Sequence, residues 1–281
     1  MTIVLVSLII ASIFFAWLHF DKLAMLTFGS LLVVGGIAGV FDYAAYVPIV
    51  LLGALVYRNE QGISNKYLNY AEMTLMILLT VTLSLHKFPG FHNILIFDQI
   101  SFSSNSTPFS MYINFDKPLF AIFYLIVFAP SISLQSSFKN LCLTLAKTLI
   151  PLLLFIIPLG LLTGHINIDF KFPNEFWIWA TNNLLITCVA EEVFFRGFLQ
   201  KRLSDWLSHK QNGALISLLL SSFIFGLAHI GGGWPFVGLA TFAGIFYGLA
   251  FNLTKSVEAP ILCHFGLNLA HFIGFTYPAA I

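Results

Sequence analysis

The chain has 281 residues, of which 58% are hydrophobic and 9% are charged, and its mean hydropathy is +0.90. Soluble domains run at about 45–50% apolar and about 25% charged, so composition excludes a soluble globular enzyme and a disordered chain. Thirteen Lys and Arg against twelve Asp and Glu, a formal net charge of +1, leave no basic face for nucleic acid.

What remains is an all-α, polytopic transmembrane helix bundle of about 8–10 helices, because a membrane-crossing helix needs about 20 apolar residues. In chain order the predicted spans are Thr2–His19, Leu23–Phe41, Tyr43–Tyr57, Ala71–Leu85, Leu119–Leu134, Leu141–Thr163, Phe176–Phe198, Ala214–Ile230, Pro235–Leu253 and Ala259–Tyr277. Met1–Phe20 lacks the basic flank of a signal peptide and reads as the first of them. The connections are Arg58–Tyr70, His86–Pro118, Gly164–Glu175, Leu199–Gly213 and Thr254–Glu258. Lys22, Arg58, Lys66, Lys139, Lys201, Arg202, Lys210 and Lys255 fall on one side of a ten-span arrangement, which the positive-inside rule makes cytoplasmic. Cys142, Cys188 and Cys263 each lie in an apolar run and read as buried thiols. Residues 1–164 carry little intramembrane charge, whereas 165–281 hold nearly all of the chemistry.

Charge at membrane depth costs roughly 2.5–3.5 kcal/mol per residue and therefore needs a reason. The run Cys188-Val-Ala-Glu191-Glu192-Val-Phe-Phe-Arg196-Gly197 puts two carboxylates and a guanidinium into an apolar helix. Glu192 and Arg196 are four apart and share a face, while Glu191 points about 100° away and is available as a base. The next span closes on Phe225-Gly-Leu-Ala-His229, and the last opens Ala259-Pro-Ile-Leu-Cys-His264-Phe-Gly-Leu-Asn268. Pro260 suits a first helical turn. His264 and Asn268 lie on one face, continued by His271. Measured from cytoplasmic boundaries at Lys201, Leu215 and Ser256 at 1.5 Å per residue, Glu191, His229, His264 and Asn268 lie about 15, 21, 12 and 18 Å deep. Three helices can thus bring four polar groups into one band near the midplane. The bland alternatives are a helix-packing charge cluster and histidines satisfied by backbone carbonyls.

Glu191-Glu192-x-x-x-Arg196, Phe225-x-x-x-His229 and His264-x-x-x-Asn268, in that order on three helices, resemble the CPBP family of intramembrane endopeptidases. That family takes in the Abi proteins and the CAAX prenyl proteases of the Ras-converting type. The resemblance covers roughly Phe176–Phe272. It implies that Glu191 is a general base on water, that His229 helps to orient the water, and that His264 and Asn268 donate to the oxyanion. Glu192 and Arg196 would support the geometry. The expected partners are a membrane-anchored peptide or protein substrate, prenylated CAAX sequences among the candidates, and the lipid bilayer. The expected location is an integral, multi-pass position in a bacterial inner (plasma) membrane. Members are often labelled metalloproteases, and Glu191, His229 and His264 would be the zinc ligands in that version. The His-Glu-x-x-His helix of zinc proteases is absent, so the reading prefers no cofactor. Two rivals stand beside it: a non-catalytic membrane immunity or binding protein of the same fold, and a transporter. A transporter should show inverted repeats or interrupted helices, and neither is legible here.

Overall fold

The computed structural model describes residues 1–62, 65–128 and 138–281. Helices account for nearly all of the regular structure. They are α1 (Thr2–Trp17), α2 (Asp21–Ile37), α3 (Tyr43–Glu60), α4 (Lys66–Ser84), α5 (Asp116–Val127), α6 (Phe138–Leu162), α7 (Phe176–Thr181), α8 (Val189–Glu192), α9 (Lys201–Trp206), α10 (Gly213–Leu227), α11 (Gly233–Thr254) and α12 (Glu258–Gly274). Between α7 and α9 the chain stays helical, but Asn182–Cys188 and Val193–Gln200 are wound as π-helix, so 176–206 is one rod with α8 at its middle. The expected helices are therefore found, the predicted span Leu119–Leu134 as α5; its last residues, 129–134, lie outside the described residues.

Three expectations need correction. The connection His86–Pro118 holds a hairpin of strands β1 (Ile94–Ile100) and β2 (Phe109–Ile113). Its Ser/Asn-rich stretch is the turn, and the apolar residues on either side are the strands. Second, among the described residues only Phe138–Leu162 and Ile230–Thr254 are long and apolar enough to cross a membrane. The other helices are shorter or more polar; α1 and α10, for example, have 16 and 15 residues. Third, Cys188 and Cys263 are buried as expected, but Cys142, in the first turns of α6, is exposed.

The chain forms two compact units. The first comprises Met1–Ile96, Tyr112–Ala129 and Leu185–Ala190. In α1 its buried positions Leu5, Ile9, Ser12, Ile13 and Ala16 recur at helical spacing and form the stripe that packs on α2 and α5. Polar pairs fix the helices laterally. Ser12 Oγ lies 3.0 Å from Thr27 Oγ1 between α1 and α2. Arg58 and Glu72 pair at 2.9 Å between α3 and α4, and Thr80 and Tyr124 hydroxyls meet at 2.9 Å between α4 and α5.

The second unit comprises Phe97–Met111, Pro130–Leu184 and Glu191–Ile281. Here α11 is the central helix and packs against α6, α10 and α12. Small residues permit close approach, as in helix packing without water. A Cβ on Gly226 of α10 would collide with Thr241 Oγ1 and come within 2.7 Å of Val237 O on α11. At the other end of α12, Trp179 stacks on Phe272 with ring centroids 3.9 Å apart, and Phe102 of the hairpin turn meets the same ring edge-on at 4.9 Å.

Candidate active site

The helical rod 176–206 delivers the carboxylates. Its π-wound turns are uncommon, and such turns concentrate at functional sites. Glu192 and Arg196 are both fully buried, and Arg196 Nε stands 3.3 Å from Glu192 Oε2. Arg196 also donates through Nη2 to Gly244 O at 3.0 Å, and its guanidinium lies 4.9 Å from the centre of the Phe225 ring. Gly244 is what lets α11 come so near, because a Cβ there would sit 3.3 Å from both Arg196 Nη2 and the Phe225 ring. One helical turn further on, Gln200 repeats the device. It donates to Gly248 O and Asn252 Oδ1, both at 3.1 Å, and accepts from Ser221 Oγ at 3.1 Å.

His264 of α12 completes the cluster. Its Nδ1 lies 2.8 Å from Glu192 Oε1, and a carboxylate opposite Nδ1 puts the ring proton on that nitrogen. Its Nε2 is 4.0 Å from Glu191 Oε2. The ring stacks on Tyr247 at 4.6 Å and meets Phe225 edge-on at 5.7 Å, so its plane is set by aromatic walls on two sides. The imidazole is thus held between two carboxylates.

His229 lies just past the end of α10, where Nδ1 meets Phe225 O at 2.8 Å. A carbonyl only accepts, so Nδ1 donates and the neutral ring keeps its lone pair on Nε2. The expectation that a carbonyl satisfies this histidine and the expectation that it serves the site are both compatible with that bond. Asn268, one turn along from His264, donates from Nδ2 to Asn183 Oδ1 at 3.1 Å. His271 is tied to Thr276 O through Nε2 at 3.0 Å and lies against Tyr277. His229, His264, Asn268 and His271 all line one cavity of about 240 Å³ with largely apolar walls. Glu191 is not on that wall; it reaches the cluster through His264.

Sequence reasoning missed Asn183, Tyr247, Gly244 and Gln200. Asn183 had a signal: Asn182-Asn183 is a polar pair inside an apolar span. Tyr247 and the glycines had none, since their roles depend on which face of α11 meets the rod.

The zinc set can be tested against these atoms. Among the described residues no three His, Cys, Asp or Glu side chains come together to hold a metal ion. Two of the four ring nitrogens of His229 and His264 are already bonded to Phe225 O and Glu192 Oε1. Glu191, His229 and His264 do not assemble as ligands, and the metalloprotease label finds no support in them.

Fold and cluster together define a class: an all-α helical bundle whose last third buries a carboxylate, guanidinium and imidazole network beside an apolar cavity. Residues 173–270 match the family model described as Rce1-like, type II CAAX prenyl endopeptidase Rce1-like. The resemblance read from the three motifs is thereby shown for this segment, which contains Glu191, Glu192, Arg196, His229, His264 and Asn268. The match implies a protease of the hydrolase class and a membrane setting. No curated protein and no solved structure matches the chain.

Proposed function

We propose that the protein is a multi-pass intramembrane endopeptidase that hydrolyses a peptide bond in a membrane-anchored substrate of the CAAX type, without a metal. The catalytic core is 165–281, and α6 adds a wall of the cavity through Ile156 and Ile157. The observation that carries the reading is His264 held between Glu192 at 2.8 Å and Glu191 at 4.0 Å on the edge of that cavity.

The chemistry follows from the hydrogen-bond directions. Glu191 accepts a proton from water. His229, with Nδ1–H committed to Phe225 O, offers its Nε2 lone pair to the second proton of that water. The hydroxide adds to the scissile carbonyl carbon. His264, with Nδ1–H held by Glu192, turns Nε2 to the oxyanion and donates to it in its imidazolium form, and Asn268, oriented by Asn183, donates beside it. Such donors in a water-poor site are worth roughly 2.7–4 kcal/mol each at the transition state. Glu191 then returns its proton to the departing amine nitrogen, giving a new carboxylate terminus and a free amine. Glu192 and Arg196 are positioning residues: Glu192 holds the ring through Nδ1, and Arg196 holds Glu192.

The test is cleavage of a fluorogenic farnesylated CAAX peptide by purified protein. Wild type and Glu191→Ala are each assayed with and without a strong zinc chelator. Cleavage by wild type alone, indifferent to chelator, is the expected result. Full activity in Glu191→Ala refutes the mechanism, and chelator-sensitive cleavage restored by zinc refutes its metal independence. The rival of a non-catalytic relative predicts no cleavage of any membrane-anchored peptide.

A further inference from the structure

The loop between α6 and α7 is not irregular throughout. Asp169 N donates to Gly274 O at 2.9 Å, Lys171 N to Ile273 O at 2.8 Å, Thr276 N to Asn167 O at 2.9 Å and Ala280 N to His165 O at 2.9 Å. Ile168 and Phe275 form an antiparallel bridge. Residues 165–171 therefore run alongside the end of α12 and residues 275–280, joined there by one isolated antiparallel bridge, and residues 165, 167, 169 and 171 carry these four bonds. In an antiparallel pair the intervening residues turn their N–H and C=O groups to the other side. Those residues are Ile168 and Phe170, and among the described residues no hydrogen-bond partner meets the backbone of either.

This open edge leads to the cavity. Its inner end, His165 and Ile166, lines the cavity wall, and so does Phe275, the bridge partner of Ile168. At that end the edge closes, because Ile166 N donates to Gly160 O at 3.2 Å. From Ile168 to Ile166 is two residues, about 7 Å of strand. Outward from there the side chains are apolar and exposed, Ile168 by 64% and Phe170 by 81%.

An unpaired strand edge is a template for another extended chain, and adding a strand is a general way to hold a peptide by its backbone whatever its side chains. We propose that the outer edge of 166–170 is the docking rail for the substrate: an extended stretch of the membrane-anchored peptide pairs with the backbone of Ile168 and Phe170 and passes from there into the cavity. The occupant is a peptide in extended form because the groups on offer are two N–H donors and two C=O acceptors on alternate residues, beside an antiparallel bridge and continuous with the wall that carries His264 and Asn268. The inference rests on the proteolytic reading and names how that site receives its substrate.

Binding tests it separately from cleavage. Full-length Glu191→Gln in detergent is titrated into a fluorescein-labelled farnesylated CAAX peptide, read by anisotropy. The same peptide is then used with N-methyl groups on alternate backbone nitrogens, which removes donors without touching the protein. In the protein, Ile168→Pro removes one donor the ladder does not use, as suits proline at a strand edge; its melting temperature checks the fold. The expected result is a Kd raised about 2- to 10-fold for each donor lost, on one set of alternating peptide positions only. Three results overturn the rail: no binding of the native peptide, a Kd unchanged by both N-methylation and Ile168→Pro, or Ile168→Pro splitting a dimer while peptide affinity holds. A peptide that binds in this pattern but is not cut by wild type sinks the proteolytic reading and leaves the rail standing.

Discussion

Replacing Arg196 by Met tests whether the buried charges stand or fall together. At 3.3 Å from Glu192, and with an effective dielectric of about 20, the attraction between the two charges is about 5 kcal/mol. Met fills much of the same volume but leaves Glu192 buried with His264 as its remaining polar partner and strands the Gly244 carbonyl. Breaking a buried pair from one side costs about 3–5 kcal/mol. At roughly 2–4 °C per kcal/mol for a chain of this order of size, the apparent melting temperature falls by about 6–20 °C. Adding Glu192→Gln removes the stranded charge while keeping an acceptor for His264 Nδ1. The double variant should regain most of the loss, giving a coupling of at least about 2 kcal/mol, because contacting residues are not additive. Cleavage should stay low in both variants, since Arg196 and Glu192 together fix the His264 ring. Differential scanning fluorimetry in detergent reads the stability and the farnesylated peptide reads the turnover. A single variant that melts within about 2 °C of wild type, or a double variant as unstable as the two single losses summed, refutes the charge argument.

Glu191→Gln should leave the melting temperature near that of wild type and lower kcat by about 10²- to 10⁴-fold, the usual worth of a general base; intact turnover removes Glu191 from the mechanism. Asn183→Ala and Asn268→Ala should each lower kcat more than they raise KM, and the double variant should be little worse than Asn268→Ala, because Asn183 acts through Asn268; additive losses would give Asn183 a separate role. Gly226→Leu drives a side chain into Thr241 and Val237 O and should cost about 1–3 kcal/mol of stability by overpacking, read as a lower melting temperature; no change would mean that α10 and α11 are not so closely packed. Asp169 titrates below the ordinary carboxylate value: burial pushes it up, but its hydrogen bonds and the Lys171 ammonium 3.0 Å away outweigh that. A carboxylate whose folded value is depressed stabilises above the unfolded value, about pH 4, and loses that contribution as pH falls through the folded one. The melting-temperature gap between wild type and Asp169→Asn should therefore be full at pH 7 and close below about pH 4; a gap that widens in acid contradicts the assignment.

The helices were legible because apolar runs of membrane length have few other meanings, and the polar cluster was legible as a candidate site because Glu191, Glu192, Arg196, His264 and Asn268 are out of place in such runs. Their pairing was only half legible. Spacing placed Glu192 beside Arg196, but Glu192 also holds His264, seventy-two positions along the chain, and no local pattern encodes that meeting. Asn183 was visible as an oddity without a partner, since its meaning comes from Asn268 on another helix. The hairpin was hidden by its own turn: Ser103 to Thr107 reads as loop, and the strands on either side, Ile94–Ile100 and Phe109–Ile113, are too short for a span, so the whole of 86–118 reads as one connection. Helix lengths were less legible, because a count of apolar residues ignores where helices begin and end: α1 and α10, with 16 and 15 residues, are shorter than the apolar runs that contain them.

The π-wound turns on either side of α8 give this stretch a tolerance in residue number that an α-helix lacks. A π-turn closes on the fifth residue where an α-turn closes on the fourth, so each of them takes up extra chain without breaking the helix. Removing one residue from Asn182–Cys188 would let a turn relax to ordinary α-winding while Glu191 and Glu192 keep nearly the same azimuth. The same deletion between His264 and Asn268, in the α-wound turns of α12, has no such slack: it would rotate one against the other by about 100° and part Glu192 or Asn183 from its partner. Related chains that keep the cluster can therefore differ by a residue in the π-wound turns but not between those two side chains.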